Sequence, residues 1–393
     1  MNLLDLLLIA GALAFGITGY RQGFVAGLLS FLGFLGGGLI GLNLVPRLLG
    51  NADAQTGLAL VAIGLVLALA SVGQLLAGLL GGWLRSRVTW ESAQIVDSTG
   101  GAFLSVVSML LVAWFIGSAV ATSSMPNLAR LFRDSSILRG VDQVMPRSAD
   151  ALYQSFGKVL DANGFPSVFG PFTREQIAPV APPDPAVANS EAVRRARPSI
   201  VKIVGTALSC SREIEGTGFV YDDQRVMTNA HVVAGVREPQ VIVEGTERRF
   251  GARVVLFDTR RDIAVLLVPG LPLPALEFDG TANPRDDAVV AGYPNNGPFV
   301  AGAARIRDEL LARGPNIYDR GRVSRQVFSL YARVEPGNSG GPLLSPDGDV
   351  YGIIFAKSLD DPNTGYAVTA DEAAGDARAG SSSTQAVPTG PCA

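Results

Sequence analysis

The chain has 393 residues, which is long enough for two domains, and 48% of them are hydrophobic while only 17% are charged. The formal net charge of −3 disfavours binding to a polyanion, so no nucleic-acid partner is expected. With one histidine and two cysteines, neither cysteine in a C-x-x-C pattern, a zinc site is excluded, and no cofactor is expected.

The first third of the chain is predicted to cross a membrane four times. Four segments contain no charged residue, at residues 6–20, 22–46, 54–84 and 98–129. A helix needs roughly 20 residues to cross a hydrocarbon core, and the first segment reaches that length if it begins at Leu3. The alternative for the first segment is a cleaved signal peptide, but Asp5 stands where such a peptide carries basic residues.

Basic residues in the predicted loops give the topology. Arg21 follows the first span, and Arg85 and Arg87 follow the third, whereas the second loop has only Arg47, with Asp53 nearby. The positive-inside rule places the first and third loops in the cytoplasm. The N-terminus and everything after about residue 121 are then expected outside, in the bacterial periplasm or its equivalent.

The spans contain small residues rather than ionisable ones. Glycines at four-residue spacing occur in the second span, as at Gly33 and Gly37, and in the third, at Gly78 and Gly82. Such spacing is typical of helix-packing faces in lipid. Because ionisable residues are missing from the spans, a pore or transporter is disfavoured, and the block is expected to hold the protein in the bilayer.

Between the spans and the C-terminal region lie two amphipathic stretches, at residues 128–144 and 152–160, and then an extended Pro- and Ala-rich linker at 166–188. From about Val193 the chain turns to short β-branched segments separated by turn residues. We therefore divide the chain into an all-α four-helix transmembrane domain (1–122), a segment of amphipathic helices and linker (123–190) and a C-terminal domain (191–393).

The C-terminal domain is predicted to be all-β. Strands are expected at residues 199–204, 216–220, 241–243, 263–268, 288–291, 327–332 and 350–355. Many short strands over about 200 residues fit a double β-barrel. The tail after Asp371, rich in Ala, Gly and Ser, is expected to be loosely ordered except where Cys392 anchors it.

The chemistry depends on the only histidine, His231. A lone histidine is more often structural than catalytic, but this one precedes Ser339, which glycines surround in Gly-Asn-Ser-Gly-Gly-Pro. A serine hydroxyl needs a base to become a nucleophile, and the base needs an anion on its other ring nitrogen. Asp262, at the head of an apolar strand, is our choice for that anion, with Asp258 as the alternative.

The glycines around Ser339 also have a predicted role. Backbone amides of Gly337 and Ser339 would converge on the oxyanion formed during acyl transfer, in a turn that requires unusual dihedral angles. Taken alone, the same string would serve equally as an ordinary glycine-rich turn. The two cysteines, Cys210 and Cys392, form an even pair in an exported domain, which favours a disulfide over two unrelated buried thiols.

Four motifs, in this order along the chain, resemble those of a known protein family. Residues 216–220 (GTGFV), 228–233 (TNAHVV), 262–266 (DIAVL) and 337–343 (GNSGGPL) resemble the signatures of trypsin-like proteases of the HtrA kind. The membrane block resembles, more weakly, the colicin V production (CvpA) family. The combination is similar to the mycobacterial membrane-anchored acid-resistance protease (MarP) family.

That resemblance implies a chymotrypsin-like serine endopeptidase that cleaves exported or cell-envelope proteins under acid and oxidative stress. It also implies the triad His231, Asp262 and Ser339 and a disulfide between the two cysteines. By spacing, Arg333 is expected near the floor of the specificity pocket, and Phe355, Ala356 and Lys357 on the strand that pairs with substrate. Because about 27 residues follow Tyr366, no PDZ domain is expected. The alternative function is a non-catalytic, protease-like binding or sensing module on a membrane scaffold.

Overall fold

A computed structural model describes residues 2–49, 56–87, 90–121, 126–145 and 166–393, apart from residues 167, 171, 174, 208, 209, 211, 246 and 247. The chain forms two compact units. The helical unit comprises Met1–Gly117 and Asp134–Met145, and the β unit comprises Ser118–Arg133 and Pro146–Ala393. The second predicted amphipathic stretch, at 152–160, lies outside the described residues.

The helical unit is built on four long helices: α1 (Leu3–Gln22), α2 (Phe24–Leu49), α3 (Thr56–Arg85) and α4 (Glu91–Ala121). Each contains a segment that is long and apolar enough to cross a membrane, which confirms the four predicted spans. Helix α4 ends at Ala121, one residue before the predicted end of the transmembrane domain. The first amphipathic stretch is two short helices, α5 (Pro126–Arg133) and α6 (Ser136–Val144).

Glycine lets α2 and α3 approach closely. A Cβ built on Gly33 would lie 2.3 Å from the carbonyl oxygen of Gly73, and one built on Gly37 would lie 2.3 Å from that of Leu69. These distances show that Gly33 and Gly37 lie in a helix-packing face, as predicted. Gly82 does not, because its Cβ would meet open space.

Two aspartates tie the ends of the helices together. Asp5 accepts hydrogen bonds from the Ser135 hydroxyl at 2.6 Å and from the amides of Ser136 and Ile137 at 3.2 Å, which joins the start of α6 to α1. Asp97 forms an ion pair with Arg85 at 2.9 Å, on the side predicted to be cytoplasmic. Both acids lie near helix ends rather than in mid-span.

The described part of the β unit contains one seven-stranded sheet and one closed six-stranded barrel. Neighbouring strands are antiparallel in both. The sheet has the order β5-β4-β1-β2-β3-β7-β6 and the barrel the order β10-β13-β12-β11-β8-β9. The sheet strands are β1 (Ile200–Ala207), β2 (Arg212–Asp222), β3 (Arg225–Thr228), β4 (Gln240–Ile242), β5 (Arg249–Gly251), β6 (Arg253–Asp258) and β7 (Ile263–Leu267). The barrel strands are β8 (Asp287–Gly292), β9 (Val300–Gly314), β10 (Val323–Tyr331), β11 (Pro342–Leu344), β12 (Val350–Lys357) and β13 (Thr364–Thr369).

Besides α5, the described part of the β unit contains the helices α7 (Glu191–Ala196), α8 (Ala230–Val233) and α9 (Ala370–Ser382). All seven predicted strands are present, and the all-β architecture with two sheets is confirmed. Helix α9 corrects the expectation of a loosely ordered tail. Its first turn is capped by the Thr369 hydroxyl, and a stripe of small residues, including Ala373 and Ala377, is buried against the strands.

The linker before α7 is not a plain spacer. Val168 is buried in the main core of the β unit, and Phe172 is also buried. The Glu175 carboxylate accepts hydrogen bonds from the Leu359 amide at 3.0 Å and the Tyr366 hydroxyl at 2.8 Å, and another from Ser358. The linker therefore packs along the barrel as part of the β unit.

The disulfide predicted between Cys210 and Cys392 is present. It closes a loop of 182 residues and joins the C-terminal tail to the turn after β1. Gly235, which follows α8, lies against Cys392, since a Cβ built on it would be 3.0 Å from the sulfur. The tail is thereby fixed beside the segment that carries His231.

Candidate active site

His231 and Asp262 are held together by two hydrogen bonds. The His231 ring nitrogen Nδ1 lies 2.7 Å from Asp262 Oδ2, and the His231 backbone amide donates to Asp262 Oδ1 at 2.9 Å. The aspartate is fully buried and the histidine side chain is 11% exposed. A buried carboxylate with both oxygens on one histidine fixes the ring orientation and leaves Nε2 as the nitrogen available for chemistry.

The backbone around Asp262 makes this contact possible. Asp262 adopts a left-handed conformation with φ 63°, which aspartate tolerates better than most residues. The Asn229 side-chain amide donates to the Asp262 carbonyl at 2.8 Å and so joins the turn before β7 to the start of α8. A strained conformation held by hydrogen bonds is typical of functional sites.

Asp258, the alternative acid, is occupied elsewhere. Its carboxylate accepts hydrogen bonds from the amides of Arg260 and Arg261 at 2.7 and 3.1 Å and from the Arg261 guanidinium at 3.0 Å. It shapes the turn between β6 and β7 instead of contacting His231. The geometry therefore favours Asp262 over Asp258 as the partner of the histidine.

Ser339 lies in a tight loop that two glycines make possible. Gly337 and Gly340 have φ of 93° and 81°, in the region that glycine adopts without strain. Residue 340 also has no room for a side chain, because a Cβ there would lie 2.1 Å from Thr228 Oγ1 and 2.2 Å from the Thr217 carbonyl oxygen. The loop brings Ser339 against the strand beside α8: a Cβ on Gly216 would lie 3.2 Å from the Ser339 carbonyl oxygen.

Thr217, for which the sequence suggested no role, ties the serine loop to the first sheet. Its hydroxyl donates to the Gly337 carbonyl at 2.6 Å and accepts from the Tyr293 amide at 3.0 Å, while its own amide donates to the Ser339 carbonyl at 2.9 Å. The Thr228 hydroxyl in turn donates to the Thr217 carbonyl at 2.7 Å. The sequence feature that could have pointed to Thr217 is its place between two glycines in the GTGFV motif.

The loop amides divide into paired and unpaired groups. The amides of Asn338, Gly340 and Gly341 donate to backbone carbonyls at 3.0, 2.8 and 3.0 Å. By contrast, the amides of Gly337 and Ser339 find no acceptor anywhere in the described part of the chain. Two unpaired donors on either side of one residue, in an otherwise satisfied loop, can bind an oxyanion.

The predicted substrate-binding residues have mixed environments. The Arg333 side chain is 78% exposed and pairs with Glu335 at 2.7 Å, so it lies at the surface and not on the floor of a pocket. Strand β12 pairs with β13 through Ala356 and Lys357, and on its other edge Ile354 exchanges hydrogen bonds with Gly340 and Gly341 of the serine loop. The Phe355 side chain is fully buried, so it cannot contact a substrate directly.

Comparisons with known proteins agree with this architecture. The trypsin-like peptidase domain family matches residues 216–353, and the colicin V production protein family matches residues 4–146. A DegP-like probable periplasmic serine endoprotease of Halomonas elongata is 32% identical over 40% of this chain and 33% of its own length. Fold, site and family match define the protein as a trypsin-like serine protease carried on a multi-pass membrane domain.

Full-length similarity makes the assignment more specific. The serine protease Rv3671c of Mycobacterium tuberculosis H37Rv is 38% identical, covering 99% of this chain and 98% of its own length. The crystal structure of the M. tuberculosis Rv3671c protease in its active form is 45% identical, with a TM-score of 0.54, over 57% of this chain and 99% of that one. The chain belongs to the family of Rv3671c, the mycobacterial membrane-anchored acid-resistance protease (MarP) family.

Proposed function

We propose that this serine protease is an endopeptidase that works through an acyl-enzyme, with His231, Asp262 and Ser339 as its triad. The observation that carries the proposal is the buried pair formed by His231 Nδ1 and Asp262 Oδ2 at 2.7 Å. It lies beside a glycine-built serine loop with two unpaired amides. No observation favours the alternative of a non-catalytic sensing module.

Each residue has a defined task in the proposed mechanism. His231 Nε2 removes the hydroxyl proton of Ser339 as the serine oxygen attacks the peptide carbonyl carbon. Asp262 accepts a hydrogen bond from the Nδ1–H group of His231 and stabilises the imidazolium that forms. The amides of Gly337 and Ser339 donate to the carbonyl oxygen as it becomes negative. His231 then protonates the leaving amine, and water hydrolyses the ester by the same steps in reverse.

The same geometry supports a mode of substrate binding. An extended peptide would lie along the edge of β12 that follows Ile354, beside the predicted substrate-binding segment at residues 355–357. Main-chain hydrogen bonds of this kind give affinity without demanding a particular side chain. This mode suits a protease that acts on exposed, extended stretches of exported or cell-envelope proteins.

We further propose that the β unit faces the periplasmic side of the inner membrane and acts in acid and oxidative stress resistance. The orientation is supported by the basic residues of the first and third loops, Arg21, Arg85 and Arg87. The role is supported by membership of the MarP family. Protease added to intact spheroplasts should degrade the β unit, and degradation only after lysis would contradict this orientation. Replacing the gene with a Ser339→Ala allele should reduce survival in acid, and unchanged survival would contradict the role.

A fluorophosphonate probe tests the catalytic assignment, because it reacts with an activated serine. Wild-type protein should be labelled on the peptide that contains Ser339, and Ser339→Ala should not be labelled. His231→Ala should keep its fold and lose labelling, since the serine is then not activated. Equal labelling of wild type and Ser339→Ala would overturn the proposal in favour of another nucleophile, and no labelling of wild type would favour the sensing module.

A further inference from the structure

A buried arginine lies where the barrel meets the turn that carries Asp262. Arg325, on β10, is 1% exposed and is among the largest fully buried side chains of the described residues. Its guanidinium donates from Nε to the Arg260 carbonyl at 2.5 Å and from Nη2 to the Pro315 carbonyl at 2.8 Å. It also lies 5.7 Å from the centre of the Phe355 ring on β12. One cation thus contacts both the turn before the triad acid and the strand predicted to pair with substrate.

The contact with Arg260 bears directly on the geometry of Asp262. Arg260 is two residues before Asp262, in the 258–262 turn whose amides are held by the Asp258 carboxylate. The Ile317 amide also donates to the Thr259 carbonyl at 3.3 Å, so the turn is held from the barrel at two points. Since Asp262 is in a left-handed conformation, loss of these supports would let the turn relax and move its carboxylate away from His231.

Carboxylates near Arg325 favour its charged form. Burial lowers the pKa of Arg325, and three carboxylates oppose this effect, first Asp262, then Asp258 and Glu372. Of these, Asp258 and Glu372 are neutralised by the Arg261 guanidinium, at 3.0 and 2.8 Å. The Asp262 carboxylate is hydrogen-bonded to His231, so Arg325 supports it through the backbone of the turn.

We propose that Arg325 is a positioning residue of the catalytic centre, which holds the 258–262 turn, and with it Asp262, in place. The proposal rests on the proposed function, because it assumes that Asp262 and His231 take part in catalysis. The holding role acts through hydrogen bonds to carbonyls, which lysine cannot reproduce at both oxygens.

Two substitutions test the holding role, measured on the full chain in detergent with a peptide substrate. Arg325→Met removes both hydrogen bonds: kcat should fall at least about tenfold because the triad is misplaced, while KM changes little. Arg325→Lys keeps the charge but cannot form both hydrogen bonds, so its kcat should fall as well.

Arg225 provides a matched control. It is also a buried arginine that donates to two carbonyls, those of Gly380 and Ser383 at 3.2 and 3.1 Å, but it ties α9 to β3 rather than supporting Asp262. Arg225→Met should lower stability and leave kcat unchanged. A wild-type kcat in folded Arg325→Met would overturn the proposal. If Arg325→Met does not fold, Arg325→Lys decides, and a wild-type kcat in that variant would overturn the holding role.

Fluorophosphonate labelling keeps this test separate from that of the proposed function. If Ser339→Ala is labelled like wild type, the triad assignment fails whatever the arginine variants do. If labelling is specific to Ser339 and its rate in Arg325→Met equals that of wild type, the triad stands and the inference about Arg325 fails. A Ser339-specific labelling rate that falls in Arg325→Met but not in Arg225→Met supports both.

Discussion

The two units of the molecule use glycine for opposite reasons. In the helical unit, Gly33 and Gly73 keep ordinary helical backbones and let α2 and α3 touch. In the β unit, Gly337 and Gly340 adopt positive φ so that the loop around Ser339 can close. In the first case a side chain would push two helices apart, which they can partly accommodate by shifting. In the second case a side chain would have to adopt a positive φ that residues other than glycine resist. The β unit should therefore tolerate substitution of these glycines less well than the helical unit does.

The largest effect is expected at Gly340. Gly340→Ala places a Cβ 2.1 Å from Thr228 Oγ1 at φ 81°, so the loop must deform and Ser339 must move. We expect kcat/KM to fall by about 10²-fold or more. Gly375→Ala is the matched control, because its Cβ meets open space in helix α9 and should add about 0.5–1 kcal/mol of stability at unchanged kcat/KM. Similar kinetics for both variants would remove the argument from loop geometry.

The next effect concerns the buried hydroxyl that supports the loop. Thr217→Val leaves the Gly337 carbonyl and the Tyr293 amide without their partner, which should cost about 1–3 kcal/mol in the free energy of unfolding. Because the Gly337 peptide unit loses its anchor, kcat should fall more than KM rises. Thr206→Val, at an exposed position of β1, should change stability by no more than about 0.5 kcal/mol. A kcat equal to wild type in Thr217→Val would refute the anchoring role.

An effect on stability alone is expected in the helical unit. Gly33→Ala brings a Cβ within 2.3 Å of the Gly73 carbonyl oxygen, and overpacking of this kind costs about 1–3 kcal/mol. Thermal unfolding in detergent should show a lower Tm for this variant than for Gly36→Ala, whose Cβ meets open space. Peptidase activity should be unchanged in both. If Gly33→Ala lowered kcat/KM as Gly340→Ala does, the two uses of glycine would not be separable.

The smallest effect is a pH dependence confined to the β unit. Burial raises the pKa of Asp376 to about 6, and its Oδ2 has no hydrogen-bond partner among the described residues. Between pH 4 and 6 the folded state therefore binds a proton that the unfolded state lacks, so the free energy of unfolding rises as pH falls through that window. Asp376→Asn should flatten this dependence in urea titrations, with a remainder from Glu175, whose pKa burial also raises. An identical pH dependence in the variant would contradict it.

Periodicity and motif order were enough to predict the spans, the all-β unit, and His231 with Ser339. They favoured Asp262 but left Asp258 open, because the two lie four residues apart and only the turn between β6 and β7 decides which carboxylate reaches the histidine. Helix α9 was missed because its buried face consists of alanine and glycine, which carry little hydrophobic signal. Thr217 and Arg325 were missed for a different reason: their partners lie far along the chain, and only the folded sheets bring them together.

The most direct test of the account is whether His231, Asp262 and Ser339 act as one unit. Residues that share a single mechanism are strongly non-additive, so removing one should lose nearly as much as removing two. We expect kcat/KM of Ser339→Ala, of His231→Ala and of the double variant to agree within about tenfold, far below wild type. Losses that multiply in the double variant would contradict the triad and show that the two residues contribute independently.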